Sequence, residues 1–276
     1  MGYYGNGFVL TKKLPWQAFA SALPGSIAVR AYKHRTENVW FLDAWSVTTR
    51  QHWPFTDDFP EDVTFSSSLP ETSSALLSSF DAFCEALPSD ETPYGAGWLR
   101  ATAHLSVVLD DSCFFFAGDD ELTDIACHAS RGTFQTFRVR FEGCAAEYSG
   151  GKLSVVPFDF IEDPETGLTR EQLLALSQVP GVSLAPVQRF EGGTPLYGSA
   201  VALWPSGDPV SLLGVGTWDP FKHVEQDLEV VFEHLPAVAP LLAHSPTPAA
   251  NSRPLAPSKA PWWRFWRRTA DGKDGC

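Results

Sequence analysis

Residues 104–161 read HLSVVLDDSCFFFAGDDELTDIACHASRGTFQTFRVRFEGCAAEYSGGKLSVVPFDFI and carry the densest folding signals of the chain. An apolar run at 104–109 is followed by the turn residues 110–112 and by a second apolar run at 113–117. Apolar runs of this length without polar alternation are typical of strands covered on both faces. We therefore predict a central strand at 113–117.

The residues after this strand favour a helix. Asp119 is a suitable N-cap, and Asp120 and Glu121 would complement the positive end of the helix dipole. Apolar side chains then recur at helical spacing up to Arg131 and Gly132, namely Leu122, Ile125, Ala126 and Ala129. The pattern predicts a helix over about 119–131.

A three-stranded meander is expected next. Phe137, Val139 and Phe141 alternate with polar residues, which is the period-two pattern of a half-buried strand. Turn residues at 142–143 and 149–151 bound two more strands, the last of them at 152–160. This part of the chain should form antiparallel hairpins.

Outward from this stretch, the same signals predict helices and strands at both ends of the chain. We expect strands at 8–10, 27–31, 39–47, 197–204 and 210–215, and helices at 15–23, 76–87, 169–179 and 219–235. A polar segment at 51–72 is interpreted as a long surface loop. The fold class predicted is α+β, a mainly antiparallel sheet with helices packed on it.

Two parts of the chain differ in composition. Residues 1–244 are expected to form the globular α+β domain, with two lobes divided near residue 100 as an alternative. Residues 245–276 combine a Pro-rich linker with an aromatic and basic tail, and lack the periodicity needed to bury a core. We expect this C-terminal tail to be disordered.

Composition limits the cellular setting and the cofactors. The chain has no apolar run near the ~20 residues of a membrane helix and no signal-peptide pattern at its N-terminus, so we expect a cytoplasmic protein. Its five cysteines are widely spaced, without a Cys-x-x-Cys pair, which argues against a disulfide scaffold or zinc site. Cys84 and Cys113 are interpreted as buried apolar residues. We expect no metal and no cofactor.

The net charge of −13 is unevenly distributed. Residues 1–252 contain 14 Lys or Arg and 31 Asp or Glu, whereas residues 253–276 contain six and two. An acidic body repels nucleic acid and attracts basic proteins by long-range steering, although acidity can also serve solubility alone. The charge predicts a basic protein partner and no nucleic acid.

The chain lacks the common catalytic motifs, including phosphate loops, His-Glu-x-x-His and Gly-x-Ser-x-Gly. One pair offers a candidate: Asp124 and His128 are four residues apart on the predicted helix, where a carboxylate could orient an imidazole. The alternative is a surface pair near a helix C-terminus. No catalytic residue beyond this pair is predicted.

Two surface segments are candidate recognition elements. The first is the loop carrying an indole among carboxylates, with partner-binding candidates Trp53, Asp57, Asp58, Glu61 and Asp62. The second is the tail, whose anchor candidates are Trp262, Trp263, Arg264, Phe265, Trp266, Arg267 and Arg268. Such a tail suits weak membrane contact or a protein interface, or has no selected role.

The acidity, the mixed α+β build, the aromatic-rich loops and the missing catalytic motifs of residues 1–243 resemble bacterial toxin-immunity proteins in general character. The ending Trp-Trp-x-Phe-Trp resembles terminal segments of other small bacterial proteins. This resemblance implies an intracellular protein that neutralises a cognate toxin, with the loop around Trp53 as its contact. An enzyme using Asp124 and His128, or a membrane or secretion-associated protein tethered by its tail, remain alternatives.

Overall fold

A computed structural model describes nine ranges of the chain: residues 5–23, 25–35, 38–47, 68–87, 96–118, 123–141, 143–160, 168–190 and 228–236. The chain divides into two compact units, Met1–Val238 and Ala239–Cys276. All described residues belong to the first unit, so the predicted 244/245 boundary and the tail remain predictions.

Four helices and eleven strands are formed by the described residues. The helices are α1 (Trp16–Ala22), α2 (Glu71–Ala86), α3 (Gly97–Leu109) and α4 (Arg170–Ser177). The strands are β1 (Gly5–Leu10), β2 (Ile27–His34), β3 (Trp40–Ser46), β4 (Ser112–Gly118), β5 (Thr123–Ser130), β6 (Thr133–Arg140), β7 (Cys144–Ser149), β8 (Lys152–Phe160), β9 (Val182–Leu184), β10 (Gln188–Phe190) and β11 (Leu228–His234). The structure confirms the coarser part of the predicted class, a mostly antiparallel sheet accompanied by four helices. The sheet is the dominant element.

The strands form one sheet in the order β10-β8-β7-β6-β5-β4-β1-β3-β2-β11. Neighbours are antiparallel except at β8, which pairs in parallel with β9 and β10. The predicted strand 113–117 lies well inside the sheet, between β1 and β5. Because β1 pairs with β4, residues from before and after position 100 share this sheet.

Helices α2 and α3 pack on one face of the sheet through aromatic rings. Phe80 of α2 lies edge-on to Phe137 of β6, with ring centroids 5.4 Å apart. Trp98 of α3 stacks on Phe115 of β4 at 6.1 Å. All four side chains are at most 1% exposed. The core is therefore formed between the two helices and the alternate strand residues whose side chains face them.

The helix predicted over 119–131 is wrong, because Thr123–Ser130 is strand β5. Its buried Ile125, Cys127 and Ala129 occur at every second position and belong to the core cluster. The strand ends in a hairpin turn at Arg131 and Gly132, whose φ angles of 51° and 80° match the right-handed twist of the paired strands. Hydrogen bonding of β5 to β4 and β6 favours a strand more than the spacing of its apolar residues favours a helix.

The helix predicted over 219–235 is also wrong in its described part. Leu228–His234 forms β11, which pairs with β2 and carries a bulge between Val230 and Phe232. β-Branched valines and a phenylalanine favour a strand here. Residues 219–227 lie outside the described ranges, as do the strands predicted at 197–204 and 210–215.

The remaining predictions agree with the structure more closely. The meander at β6, β7 and β8, the hairpin of β2 and β3, and helix α1 lie where the pattern indicated. Helix α2 is present but begins at Glu71, within the segment 51–72 that was interpreted as a loop. Helix α4 begins at a capping box in which the Thr169 side chain and Gln172 exchange hydrogen bonds with each other's backbone. Helix α3 and strands β9 and β10 were not predicted.

Candidate functional site

The antiparallel arrangement gives the sheet two distinct ends. We call the end at which β6 passes into β7 the Gly143 end, and the end at which β5 turns into β6 the Gly132 end. Residues Gly5 of β1, Gly118 of β4 and Phe160 of β8 all lie towards the Gly143 end, as the strand registers require. Loops that leave the sheet there can meet at one surface.

The described framework carries no net charge. Its nine ranges contain 12 Lys or Arg and 12 Asp or Glu, so their formal charges cancel. Residues 1–252 as a whole contain 14 and 31. The acidity of the chain therefore belongs to the segments between the described ranges, by sequence position.

Four of these segments are flanked on both sides by residues at the Gly143 end: 88–95, 119–122, 142 and 161–167. Three observations locate the flanking residues at this end. They are the strand registers, the contact between the Phe83 ring of α2 and the Phe141 ring, and the close approach of Leu168 to Gly143. Together the four segments contain nine Asp or Glu and no Lys or Arg, namely Asp90, Glu91, Asp119, Asp120, Glu121, Glu142, Glu162, Asp163 and Glu165. By sequence, the four connections whose flanks lie at this end are acidic, while the described Arg140, Arg170 and Arg189 also lie towards it.

The Gly132 end carries charged side chains of both signs. Its described residues include six Lys or Arg and four Asp or Glu: Lys12, Lys13, Lys33, Arg35, Arg131, Lys152, Glu71, Asp110, Asp111 and Glu229. Two ion pairs occur there, Lys12 with Asp111 at 3.4 Å and Arg131 with Asp110 at 3.2 Å. With six basic and four acidic residues, the described part of this end has a formal charge of +2.

Trp45 of β3 marks an aromatic position close to the Gly143 end. The Arg30 guanidinium lies over its ring at 5.5 Å and also binds the Glu233 carboxylate of β11. The hydrogen bond with Tyr32 raises the pKa of Arg30, so this group stays charged. Trp45 is half-buried, and two residues later the described range ends where the acidic segment 48–67 begins.

A second polar cluster lies on the sheet face opposite α2 and α3, at the Gly132 end. The His128 Nε2 and Ser112 Oγ atoms are 3.1 Å apart, and the imidazole stacks on Phe114 with ring centroids 4.3 Å apart. Burial lowers the pKa of His128 to about 4, so the ring is neutral at physiological pH. Both partners of the hydrogen bond are half-buried.

The neighbours of Ser112 fix its backbone. Asp111 Oδ1 accepts a hydrogen bond from the Ser112 N–H at 2.8 Å, and the Thr11 hydroxyl donates to the Ser112 carbonyl at 2.9 Å. Desolvation opposes ionisation of Asp111, but the bond from Ser112 and the Lys12 ammonium outweigh it and lower the pKa of Asp111. Ser112 is therefore held beside an ion pair.

The predicted contact between Asp124 and His128 rested on a helical turn. Both residues belong to β5, where positions four apart are separated by roughly 13 Å along the strand. The structure instead places the Ser112 hydroxyl within hydrogen-bond distance of His128 Nε2. The side chain of Asp124 is not among those described, so a catalytic role for the pair remains a prediction.

The other predicted site residues fall outside the described ranges. They are the partner-binding candidates Trp53, Asp57, Asp58, Glu61 and Asp62, and the tail candidates Trp262, Trp263, Arg264, Phe265, Trp266, Arg267 and Arg268. The last described residue before the first group is Val47, which follows β3 at the Gly143 end.

No family model, curated protein or solved structure matches this chain. Function therefore has to be inferred from the described geometry and from the distribution of charge.

Further observations concern metals, thiols and membranes. Within the described ranges, no group of three or more His, Cys, Asp or Glu side chains is arranged to hold a metal ion. The predicted burial of Cys84 and Cys113 is confirmed, and burial raises the pKa of the Cys84 thiol to about 12. No helix of the described part is long and apolar enough to cross a membrane.

Sequence reasoning identified His128 but missed Ser112 and the common end of the sheet at which the flanks of four acidic segments lie. Ser112 is 16 residues from His128, and only the register of β4 against β5 brings them together. The acidic turns were visible in the sequence, but only the strand order shows that their described flanking residues lie at one end of the sheet.

Proposed function

We propose that the chain is an intracellular, cytoplasmic binding protein that neutralises a basic protein partner, in the manner of the bacterial toxin-immunity proteins that it resembles. The observation that supports this proposal is that the net negative charge of the chain lies outside the described helices and strands. The described sheet and helices are neutral, whereas four connections at the Gly143 end carry nine carboxylates and no basic residue.

Such an arrangement suits recognition better than solubility alone. Acidity that only kept the protein dispersed could be spread over all surfaces, including the helices and the Gly132 end. Carboxylates gathered at one end steer a basic protein to that end and raise its rate of association. The half-buried Trp45 beside Arg30 adds an aromatic side chain of the kind that dominates binding energy in interfaces.

The predicted contact residues lie in the segment 48–67, which follows Val47 at the Gly143 end and precedes the start of α2 at the Gly132 end. The segment 48–67 leaves β3 at the Gly143 end and contains Trp53 together with Asp57, Asp58, Glu61 and Asp62. We propose that these residues contact the partner, with carboxylates steering it and the indole anchoring it. Nucleic acid is not proposed as a partner, because its phosphates would be repelled by the same charge.

Affinity purification of the full chain from its native host tests the proposal. We expect it to recover a basic protein that inhibits growth when expressed alone and becomes harmless when this chain is co-expressed. The gene of that protein should lie beside the gene of this chain. Recovery of no basic protein, together with a neighbouring gene unrelated to any toxin, would contradict the proposal.

Two double variants, each lacking two carboxylates, test whether the Gly143 end is the docking surface. Once the partner is in hand, Glu162→Gln with Glu165→Gln should slow association, and the difference from the wild type should shrink in high salt. The matched control is Glu71→Gln with Glu229→Gln, which removes the same charge from exposed described residues elsewhere. Equal effects of the two double variants would exclude the Gly143 end as the docking surface.

A further inference from the structure

We propose that Ser112 and His128 form a nucleophile and base pair that reacts with small carboxylic esters bearing a good leaving group. The geometry that supports this is the 3.1 Å separation of Ser112 Oγ and His128 Nε2, which lies within hydrogen-bond distance. This activity is independent of the partner binding proposed above, because it lies at the opposite end of the sheet.

The imidazole is held in the orientation that the chemistry needs. Stacking on Phe114 at an interplanar angle of 18° restricts rotation of the ring, and the Phe114 and His128 positions are directly paired across β4 and β5. With its proton on Nδ1, the neutral ring presents the Nε2 lone pair to the Ser112 hydroxyl. The hydroxyl is then polarised without a change of conformation.

Hydrogen bonds to its backbone also hold Ser112 in position. It is the first residue of β4, and its N–H and carbonyl are bound by Asp111 and Thr11. Cys113, the next residue, is fully buried in the core beneath α3, which directs the Ser112 side chain to the other face of the sheet. Ser112 is half-buried and so is not enclosed in the core.

The reaction balances with water as the only co-reactant. Ser112 Oγ forms a bond to the ester carbonyl carbon while its proton passes to His128 Nε2. The bond from that carbon to the alkoxy oxygen breaks, and the departing alcohol takes the proton from Nε2. Water then attacks the acyl-serine by the same route, which releases the carboxylic acid and restores Ser112.

A fluorophosphonate probe tests the pair, because a reactive serine displaces its fluoride and keeps the phosphonyl group. We expect the full-length wild-type protein to acquire one adduct, located on Ser112 by peptide mass spectrometry. Ser112→Ala should acquire none, and His128→Gln should react at least about 100-fold more slowly. Ser130→Ala is the matched control, since Ser130 lies directly opposite Ser112 in β5, and it should react at the wild-type rate.

The wild-type protein alone provides a second measurement, in case a variant fails to fold. Its labelling rate should stay level from pH 8 to pH 6 and fall as pH approaches 4, where His128 becomes protonated. An unlabelled protein, an adduct elsewhere, an unchanged rate in folded His128→Gln, or a rate that is level down to pH 4 would each overturn the proposal.

Discussion

The Gly132 N–H donates a hydrogen bond to Ser106 Oγ at 2.8 Å, inside the protein and between a hairpin turn and helix α3. Ser106 Oγ in turn donates to the Ala103 carbonyl, and Ser73 of α2 donates to the Gly132 carbonyl at 2.7 Å. Two helix side chains therefore satisfy both backbone groups of a buried turn residue. This network fixes the β5–β6 hairpin against α2 and α3.

Ser106→Ala is expected to lower the free energy of unfolding by about 1 to 3 kcal/mol, because it leaves the buried Gly132 N–H without its acceptor. Urea denaturation of the full chain measures the loss. Ser78→Ala serves as the control, since Ser78 is exposed on α2 and bonds only to its own helix backbone. That control should change stability by less than about 0.5 kcal/mol, and equal losses would contradict the role given to Ser106.

Gly132→Ala is expected to destabilise the fold more than Gly150→Ala. Both glycines have positive φ, 80° and 56°, so each substitution introduces backbone strain of about 1 to 2 kcal/mol. A Cβ on Gly132 would also lie 2.6 Å from Val107 Cγ2 and 2.9 Å from Pro70 Cδ, whereas a Cβ on Gly150 meets nothing within 4 Å. The clash adds about 1 to 3 kcal/mol.

Thermal unfolding of the two glycine variants measures this difference directly. The variant at Gly150 supplies the strain without the clash, so the gap between the two melting temperatures reports the packing of the hairpin on α2 and α3. If Gly150→Ala is as destabilised as Gly132→Ala, the close contact with Val107 and Pro70 is not significant.

Residues 123–130 show why the sequence alone predicted the wrong element. Ile125, Ala126 and Ala129 satisfy helical spacing, while Ile125, Cys127 and Ala129 satisfy strand spacing, so a short apolar segment fits both periods. Pairing with β4 and β6, which lie on either side, makes this segment a strand. By contrast, Thr169 and Gln172 form a contact within one helical turn, and the sequence predicted it correctly.

The candidate site shows the same limit. His128 was identified because its residue type is suited to proton transfer, but its neighbour was sought at helical distance in Asp124. The actual contact with Ser112 depends on the register of two strands 16 residues apart along the chain. Long-range pairing of this kind is set by the whole sheet, and no local pattern in a single sequence encodes it.

Thr169→Ala is expected to loosen α4 by about 1 kcal/mol without affecting the rest of the fold. The substitution removes the hydroxyl that accepts the Gln172 N–H at 3.3 Å, one of the two reciprocal bonds of the capping box. Hydrogen exchange resolved by residue should accelerate in residues 170–177. Exchange in β6, between the core strands, should not change, and faster exchange there would contradict a local effect.

Acid should destabilise the wild-type protein through His128. Burial lowers the pKa of this imidazole to about 4, whereas in the unfolded chain it is about 6.5. The unfolded state therefore binds the proton more readily, so this contribution is fully present above pH 6.5 and is lost as pH falls towards 4. Because the ring is only half-buried, we expect a loss of roughly 1 to 2 kcal/mol.

Urea unfolding of wild type and His128→Gln at pH 7.5, 6 and 5 isolates this effect. Glutamine cannot be protonated in this range, so the variant should lose less stability between pH 7.5 and pH 5 than the wild type does. The other histidines, including the buried His34, are present in both proteins and cancel in the comparison. Parallel pH dependence in the two proteins would show that His128 is no harder to protonate in the folded state than in the unfolded chain.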